Sequence, residues 1–263
     1  MQDSDAQLSV DLNADMGEGF GVYRIGNDEA LLGVVTTANV ACGFHGGDPE
    51  IMARTFALAR DRGVAVGAHP GFPDLWGFGR RVIPCSLGEI ERFVAYQIGA
   101  AQALATYAGH SITHVKAHGA LGNMTQSNPE VALAICKAIK AVDPALICMS
   151  YAGGLMLEIA AGMGLRTSGE IFADRGYGDD GELIPRGKPG AMLHDPDFAA
   201  ERVLRMLRAG AIELPQGRQI KASIDTICVH GDSPNAMAMA ARVRARLEAA
   251  GVHVRSFANG RHT

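Results

Sequence analysis

The sequence predicts a parallel (β/α)-type barrel of the α/β class, and three observations predict it. Short apolar, strand-like runs alternate with helical stretches along the whole chain, which is the pattern of a parallel sheet. The length of 263 residues suits one barrel domain, taken as 1–263. Six of the runs, LSVDLNAD, TTANVACGFH, VAVGAH, ITHVKAH, TSGEIFAD and TICVH, end on side chains that can do chemistry. Those ends carry Asp11, Asn13, Asp15, Asn39, His45, His69, Lys116, His118, Glu170, Asp174 and His230. In a barrel, strand tips and the loops after them build the active site. One clustered polar site at one mouth is the simplest reading.

The first strand is expected near 7–13. Leu8, Val10 and Leu12 share one face there, and Ser9, Asp11, Asn13 and Asp15 share the other. A helix near 25–33 and a strand near 34–41 follow. Asp48-Pro49-Glu50 supplies a cap, a first-turn proline and an early acid for a helix over 49–62. A strand near 63–69 leads to the irregular stretch 70–84, which holds the only Trp and the pair Arg80 and Arg81. Ser86 and Glu89 form a capping box for a helix over 86–108.

The strand near 112–118 places His114, Lys116 and His118 on one face. Asn128-Pro129 opens a helix over 128–142, then come a strand at 145–150 and a helix at 153–163. In the strand near 166–173, Glu170 shares parity with Phe172 and Asp174. The glycine-rich stretch 174–192 is too long for an ordinary connection and reads as a lid or binding loop. Asp195-Pro196 starts a helix over 196–209, and a strand near 224–230 aligns Thr226, Cys228 and His230. A helix at 234–250 and a short strand at 252–257 end the pattern, with flexible tails expected at 1–6 and 258–263.

Bulk composition narrows the function. The chain is 48% hydrophobic and 20% charged with a formal net charge of −4, so no basic face for nucleic acid is implied. The 33 glycines in 263 residues exceed the usual share of about 7% and suit tight turns near a ligand. The five cysteines (Cys42, Cys85, Cys136, Cys148, Cys228) are scattered without CxxC spacing, which excludes a disulfide framework or zinc ribbon. The polar start is no signal peptide and no run approaches about 18 apolar residues, so no membrane role is expected. A reduced, cytoplasmic protein is the expectation.

The strand ends carry the functional signal. A strand buried on both faces should be apolar on both. Polar groups on one face are tolerated only where they meet water, each other or a ligand. A single Asp or His at a strand end is more often a loop cap than a catalyst. His114 sits mid-strand and also fits a hydrogen-bonded core histidine, and Asp11 fits a structural role. Six strands showing the feature independently weaken those readings for the group.

Familiar nucleotide and hydrolase motifs are absent. Gly17-Glu18-Gly19-Phe20-Gly21 lacks the third glycine of a dinucleotide fingerprint, since Val22 stands there. Gly187-Lys188 lacks the correctly spaced upstream glycine and the hydroxyl of a phosphate loop. Neither HExxH nor GxSxG occurs. Asp15, His45 and His69, on three successive strand ends, are candidates to hold a divalent metal.

The blocks DLNADMGEGFG, NVACGFHGGDP, GAHPGFPDLWGFGRR, HVKAHGALGN, GEIFADRGY and ICVHGD, in that order, resemble the LamB/YcsF family from about residue 8 to 257. Ala117, Gly122 and Gly46 depart from the residues usual there. The resemblance implies a seven-stranded barrel similar to polysaccharide-deacetylase and YdjC-like proteins. In those proteins an acid follows the residue equivalent to Asp15, where this chain has Met16. It also implies an ATP-dependent 5-oxoprolinase, converting 5-oxoproline to L-glutamate, in which this chain is the A subunit beside separate B and C subunits. ATP would be the co-substrate, bound here or by the partners. On that reading Asp15 is the general base, with His45 or His69 able to replace it, and Lys116 and His118 stabilise the oxyanion. Arg80 or Arg81 clamps the substrate carboxylate or a phosphate, Asp174 and Arg175 close the long loop, and Asn13, Asn39, His69 and His230 complete the substrate contacts. The alternative is a stand-alone metal-dependent deacetylase or amidohydrolase of the same barrel type.

Overall fold

Parallel strand pairing closes the sheet in the computed structural model, which describes residues 8–232 and 235–259. The strands are β1 (Ser9–Met16), β2 (Thr37–Ala41), β3 (Ala65–His69), β4 (Ile112–Lys116), β5 (Ile147–Tyr151), β6 (Thr167–Phe172), β7 (Ala211–Glu213), β8 (Gln219–Lys221), β9 (Thr226–Val229) and β10 (His253–Val254). β1 to β6 and β9 run parallel in ring order, and β9 pairs back onto β1 to close a seven-stranded barrel. β10 extends the start of β1 outside that ring, and β7 and β8 form a separate antiparallel pair.

Helices cover the outside: α1 (Asp28–Leu31), α2 (Pro49–Asp61), α3 (Leu87–Tyr107), α4 (Gly119–Met124), α5 (Pro129–Val142), α6 (Leu155–Gly162), α7 (Pro196–Ala209) and α8 (Ala236–Ala249). The expected caps form. Asp48, Asn128 and Asp195 accept from the first-turn amides of α2, α5 and α7, and Ser86 with Glu89 makes the capping box of α3. Gly210, at φ 55°, ends α7 in the left-handed conformation. Among the described residues no helix is long and apolar enough to cross a membrane. Of the expected tails, residues 1–6 and 260–263 lie outside the described residues. Ala258 and Asn259 belong to a 3-10 turn, Phe257–Asn259.

Strand register fixes which side chains enter the barrel. Asp11 sits opposite Thr226, Asn13 opposite Thr37 and Cys228, and Asp15 opposite Asn39. Gly67 sits opposite Asn39 and His114, and Glu170 opposite Tyr151 and Thr226. Leu12, Ala14 and Met16, of the other parity, are buried in the core cluster. The barrel interior is therefore polar along its axis, and the apolar core is the layer between strands and helices.

One glycine permits that interior. A Cβ on Gly67 would lie 2.3 Å from His114 Nε2. The His114 ring is fully buried and held 2.8 Å from Asn39 Oδ1. Gly67→Ala is therefore expected to cost about 3 kcal/mol, through overpacking and the broken hydrogen bond. In urea unfolding, His114→Ala combined with Gly67→Ala should recover part of that loss. Strict additivity of the two substitutions would refute the clash.

Candidate active site

The polar interior is stacked in layers from the strand starts to the cavity. Deepest lies Asp11, whose carboxylate accepts from the hydroxyls of Thr36, Thr37 and Thr226. Burial pushes Asp11 up to about 6, although the three hydroxyls pull it back. Because its folded value exceeds the ordinary 3.8, its contribution to stability is complete below pH 3.8 and is lost as pH rises through about 6. That loss amounts to about 3 kcal/mol. Asp11→Asn should abolish this pH dependence, so the variant should fall furthest behind the natural protein at pH 4 and recover by pH 7. A constant difference across that range in denaturant titrations would contradict the assignment.

Above Asp11 lie Asn13 and Asn39. Asn39 Nδ2 donates to Asn13 Oδ1 at 2.7 Å and to Asp15 Oδ1 at 2.9 Å, while Asn13 Nδ2 donates to Thr226 and Glu170. His114 joins this layer through Asn39, and burial pushes its imidazole down to about 3, so it is a neutral core histidine. Asn13 and Asn39, expected to contact substrate, are fully buried and do not line the cavity. They orient Asp15 and Glu170 instead.

At the cavity floor the Lys116 ammonium lies 2.9 Å from Asp15 Oδ1, 2.8 Å from Glu170 Oε1 and 3.2 Å from Cys228 Sγ. Burial opposes its charge, but Asp15, Cys228 and Glu170 outweigh burial and hold Lys116 well above the usual ammonium range. For Asp15, burial is likewise outweighed by His69 and Lys116, which hold its carboxyl well below the usual range. Asp15 is thus a poor proton acceptor, and its charge is engaged with Lys116. That argues against the base role expected of it.

Beside this ion pair stand Glu18, His45, His69 and His118, whose ligand-type atoms all lie within 4.8 Å of one another. This set differs from the expected Asp15, His45 and His69, because Lys116 occupies Asp15 and Glu18 takes the acidic place. His118 Nε2 donates to the Phe78 carbonyl at 2.8 Å, so the neutral ring has no N–H left for an oxyanion. Burial pushes His45 and His118 well below the usual imidazole range. Glycines let the 70–84 stretch close over the rings, since a Cβ on Gly79 would lie 2.7 Å from His45 Cβ.

On the other side His230 Nδ1 lies 2.9 Å from Asp174 Oδ1, and the His230 amide donates to the same carboxylate. Burial acts to raise Asp174, but His230 outweighs it and holds the carboxyl below its usual range. Phe172 stacks on the His230 ring at 5.6 Å.

These groups meet at a cavity of about 430 Å³, a volume suited to a small ligand. Asp15, His69, Lys116, His118, Arg80, Arg175, His230 and Glu170 line it, but His45 and Asp174 do not. Arg80 ion-pairs with Asp232 at 2.6 Å, whereas Arg81 is bound to Asp74 and stands outside. Arg175 is held by the carbonyls of Ala191 and Ile184. The 174–192 stretch is therefore folded in place, pinned by bridges Arg175↔Met192 and Tyr177↔Leu183. Its Leu183, Pro185 and Arg186 form part of the wall. Glu18, Tyr151 and Arg186 were not expected from the sequence. Glu18 carried a usable signal, an acid between two glycines just past a strand tip. Tyr151 and Arg186 carried none.

The fold and the cavity define a (β/α)-barrel protein whose strand ends converge on one charged pocket. The chain belongs to the LamB/YcsF family, whose model matches residues 10–262. It is 59% identical over 250 residues to the A subunit of 5-oxoprolinase from Azorhizobium caulinodans, covering 95% of this chain and 99% of that one. It is also 59% identical over 249 residues to the protein of the same name from Gluconobacter oxydans, covering 95% and 98%. Among solved structures, a lactam utilization protein from Thermus thermophilus superposes with a TM-score of 0.89 at 46% identity, covering 95% of this chain and 100% of that one.

Proposed function

We propose that this chain is the A subunit of an ATP-dependent 5-oxoprolinase and opens the lactam ring of 5-oxoproline to L-glutamate, with ATP hydrolysed to ADP and phosphate. Separate B and C subunits complete the enzyme. The observation that carries this reading is the Lys116 ammonium, held between Asp15 and Glu170 at the floor of an arginine-lined cavity. Relatives named for this activity and for lactam utilization support it. The protein acts as one barrel domain in the cytoplasm, in keeping with its five free thiols.

5-Oxoproline presents a carboxylate and an unstrained amide that resists water. Phosphorylation of the amide oxygen by ATP makes the ring carbon electrophilic. Arg80, with Arg175 and Arg186 nearby, holds the carboxylate or the phosphoryl group. His230, oriented by Asp174, takes the proton of the attacking water and returns it to the ring nitrogen as the C–N bond breaks. Water then cleaves the resulting acyl phosphate to the carboxylate and phosphate. Lys116 faces the oxygen that gains charge, which replaces its weak contact with the Cys228 thiol.

The test follows glutamate release from 5-oxoproline and ATP by this chain alone, by the partner subunits alone, and by the mixture. Product only in the mixture is expected. Product from this chain alone without ATP, abolished by a chelator, would instead favour a metal-dependent amidohydrolase. The Glu18 and imidazole cluster is the observation that keeps that second reading. Within the mixture, Arg80→Gln should raise KM for 5-oxoproline about tenfold or more, with kcat little changed, as loss of one charge-assisted contact requires. An unaltered KM would remove Arg80 from substrate binding.

A further inference from the structure

We propose that Glu18, His45, His69 and His118 bind one divalent transition cation of the zinc class. The four residues come from the ends of β1, β2, β3 and β4, four neighbouring strands of the barrel. The inference uses no property of a lactam, of ATP or of a partner, so it stands apart from the ring-opening reading.

Hydrogen placement is the first argument. His69 Nδ1 lies 2.7 Å from the Lys116 carbonyl, and His118 Nε2 lies 2.8 Å from the Phe78 carbonyl. A carbonyl only accepts, so those two nitrogens carry the ring protons. The remaining nitrogens face each other, with His118 Nδ1 only 3.0 Å from His69 Nε2, which also lies 3.5 Å from Asp15 Oδ2. Two buried ring nitrogens at that distance need a proton or a cation between them. Backbone carbonyls gripping the far nitrogens are also the usual support for metal-bound imidazoles.

Unsatisfied atoms are the second argument. Glu18 Oε1 and both ring nitrogens of His45 are buried without a hydrogen-bond partner. Buried orphans of this kind call for an ion or a water. A proton shared by His69 and His118 would satisfy that pair but would leave Glu18 and His45 unpartnered. A cation answers Glu18 Oε1, the facing lone pairs of His69 and His118, and one nitrogen of His45, leaving the other His45 nitrogen as an N–H.

Spacing is the third. Glu18 Oε1 lies 3.4 Å from His45 Nε2 and 3.5 Å from His118 Nδ1. Tetrahedral bonds of about 2.0–2.1 Å place neighbouring ligand atoms roughly 3.3 Å apart. Binding requires one of the His45 and His118 rings, stacked face to face at 3.6 Å, to turn its lone pair towards the ion. Three imidazoles and one carboxylate suit zinc, cobalt or a similar ion better than magnesium or calcium. The second group of potential ligands, Asp15, Cys228 and His230, is different. There the Lys116 ammonium already stands 2.9 Å from Asp15 and 3.2 Å from Cys228, so it is the cation of that group. When bound, the ion supplies Lewis acidity at the cavity wall that His69 and His118 form.

The test is a Co²⁺ titration of the full chain after chelator dialysis, without substrate, nucleotide or partners. One equivalent per chain with ligand-field absorption in the visible is expected. Glu18→Gln and His45→Gln should each weaken binding tenfold or more, and His194→Gln, at an exposed position, should not. Binding unaffected by Glu18→Gln, or no stoichiometric binding at all, would overturn the site. Where the variants do not fold, X-ray absorption of the zinc-loaded natural protein decides. Three imidazoles in the first shell support the proposal, and two or fewer defeat it.

Discussion

Replacing Lys116 by methionine is expected to lower kcat/KM for the proposed ring opening a hundredfold or more and to cost about 3–5 kcal/mol of stability. The ammonium lies 2.9 Å from Asp15 and 2.8 Å from Glu170, with all three side chains buried. Without it two carboxylates share the cavity floor with only His69 beside Asp15, and one of them must take up a proton or draw in water. The stability cost depends on pH in a defined direction. Asp15 is depressed in the folded state, so its contribution is present above its ordinary value of 3.8 and is lost as pH falls towards the depressed value. The gap between Lys116→Met and the natural protein should therefore be full at pH 7 and shrink in acid. Lys116→Arg keeps the charge but not the compact ammonium. It should retain most of the stability and little of the activity. Urea unfolding at several pH values, with glutamate-release assays on the proposed mixture, separates the two effects. A folded Lys116→Met protein with activity within a few-fold would exclude Lys116 from the chemistry.

Parity explains why so much of the interior could be read from the chain. Asp11, Asn13 and Asp15 alternate with Leu12, Ala14 and Met16, and period-2 alternation assigns faces without coordinates. The same logic joined His114 to Lys116 and Glu170 to Phe172, and register then carried each pair to the barrel axis. What parity cannot supply is depth. Asn13, Asn39 and Lys116 all point inward, yet only Lys116 reaches the cavity, because height along the axis depends on strand stagger. Loops carry no period, so Glu18 and Arg186 were not assigned. Short elements escaped for a related reason. Gly119 and Gly122 hid α4, and β7 and β8 are three-residue strands with too few side chains to show alternation. The helix expected at 25–33 shrank to Asp28–Leu31, where Gly26 and Gly33 bound it.

His230 and Asp174 give the second large effect. Asp174 stays ionised beside His230 Nδ1, which fixes that nitrogen as the donor on a ring that lines the cavity. Asp174→Asn can offer its amide N–H to Nδ1, which would move the ring proton to Nε2 and disable the base. A loss of about 10²–10⁴ in kcat is expected for Asp174→Asn and for His230→Gln, with KM little altered. A purely structural role for the pair would move stability and KM as well. Phe172→Leu offers a graded control, since it loosens the ring stacked 5.6 Å away while leaving the carboxylate contact in place. It should cost only a small part of the rate. A kcat within a few-fold of the natural enzyme in a folded His230→Gln variant would transfer the base role to another residue.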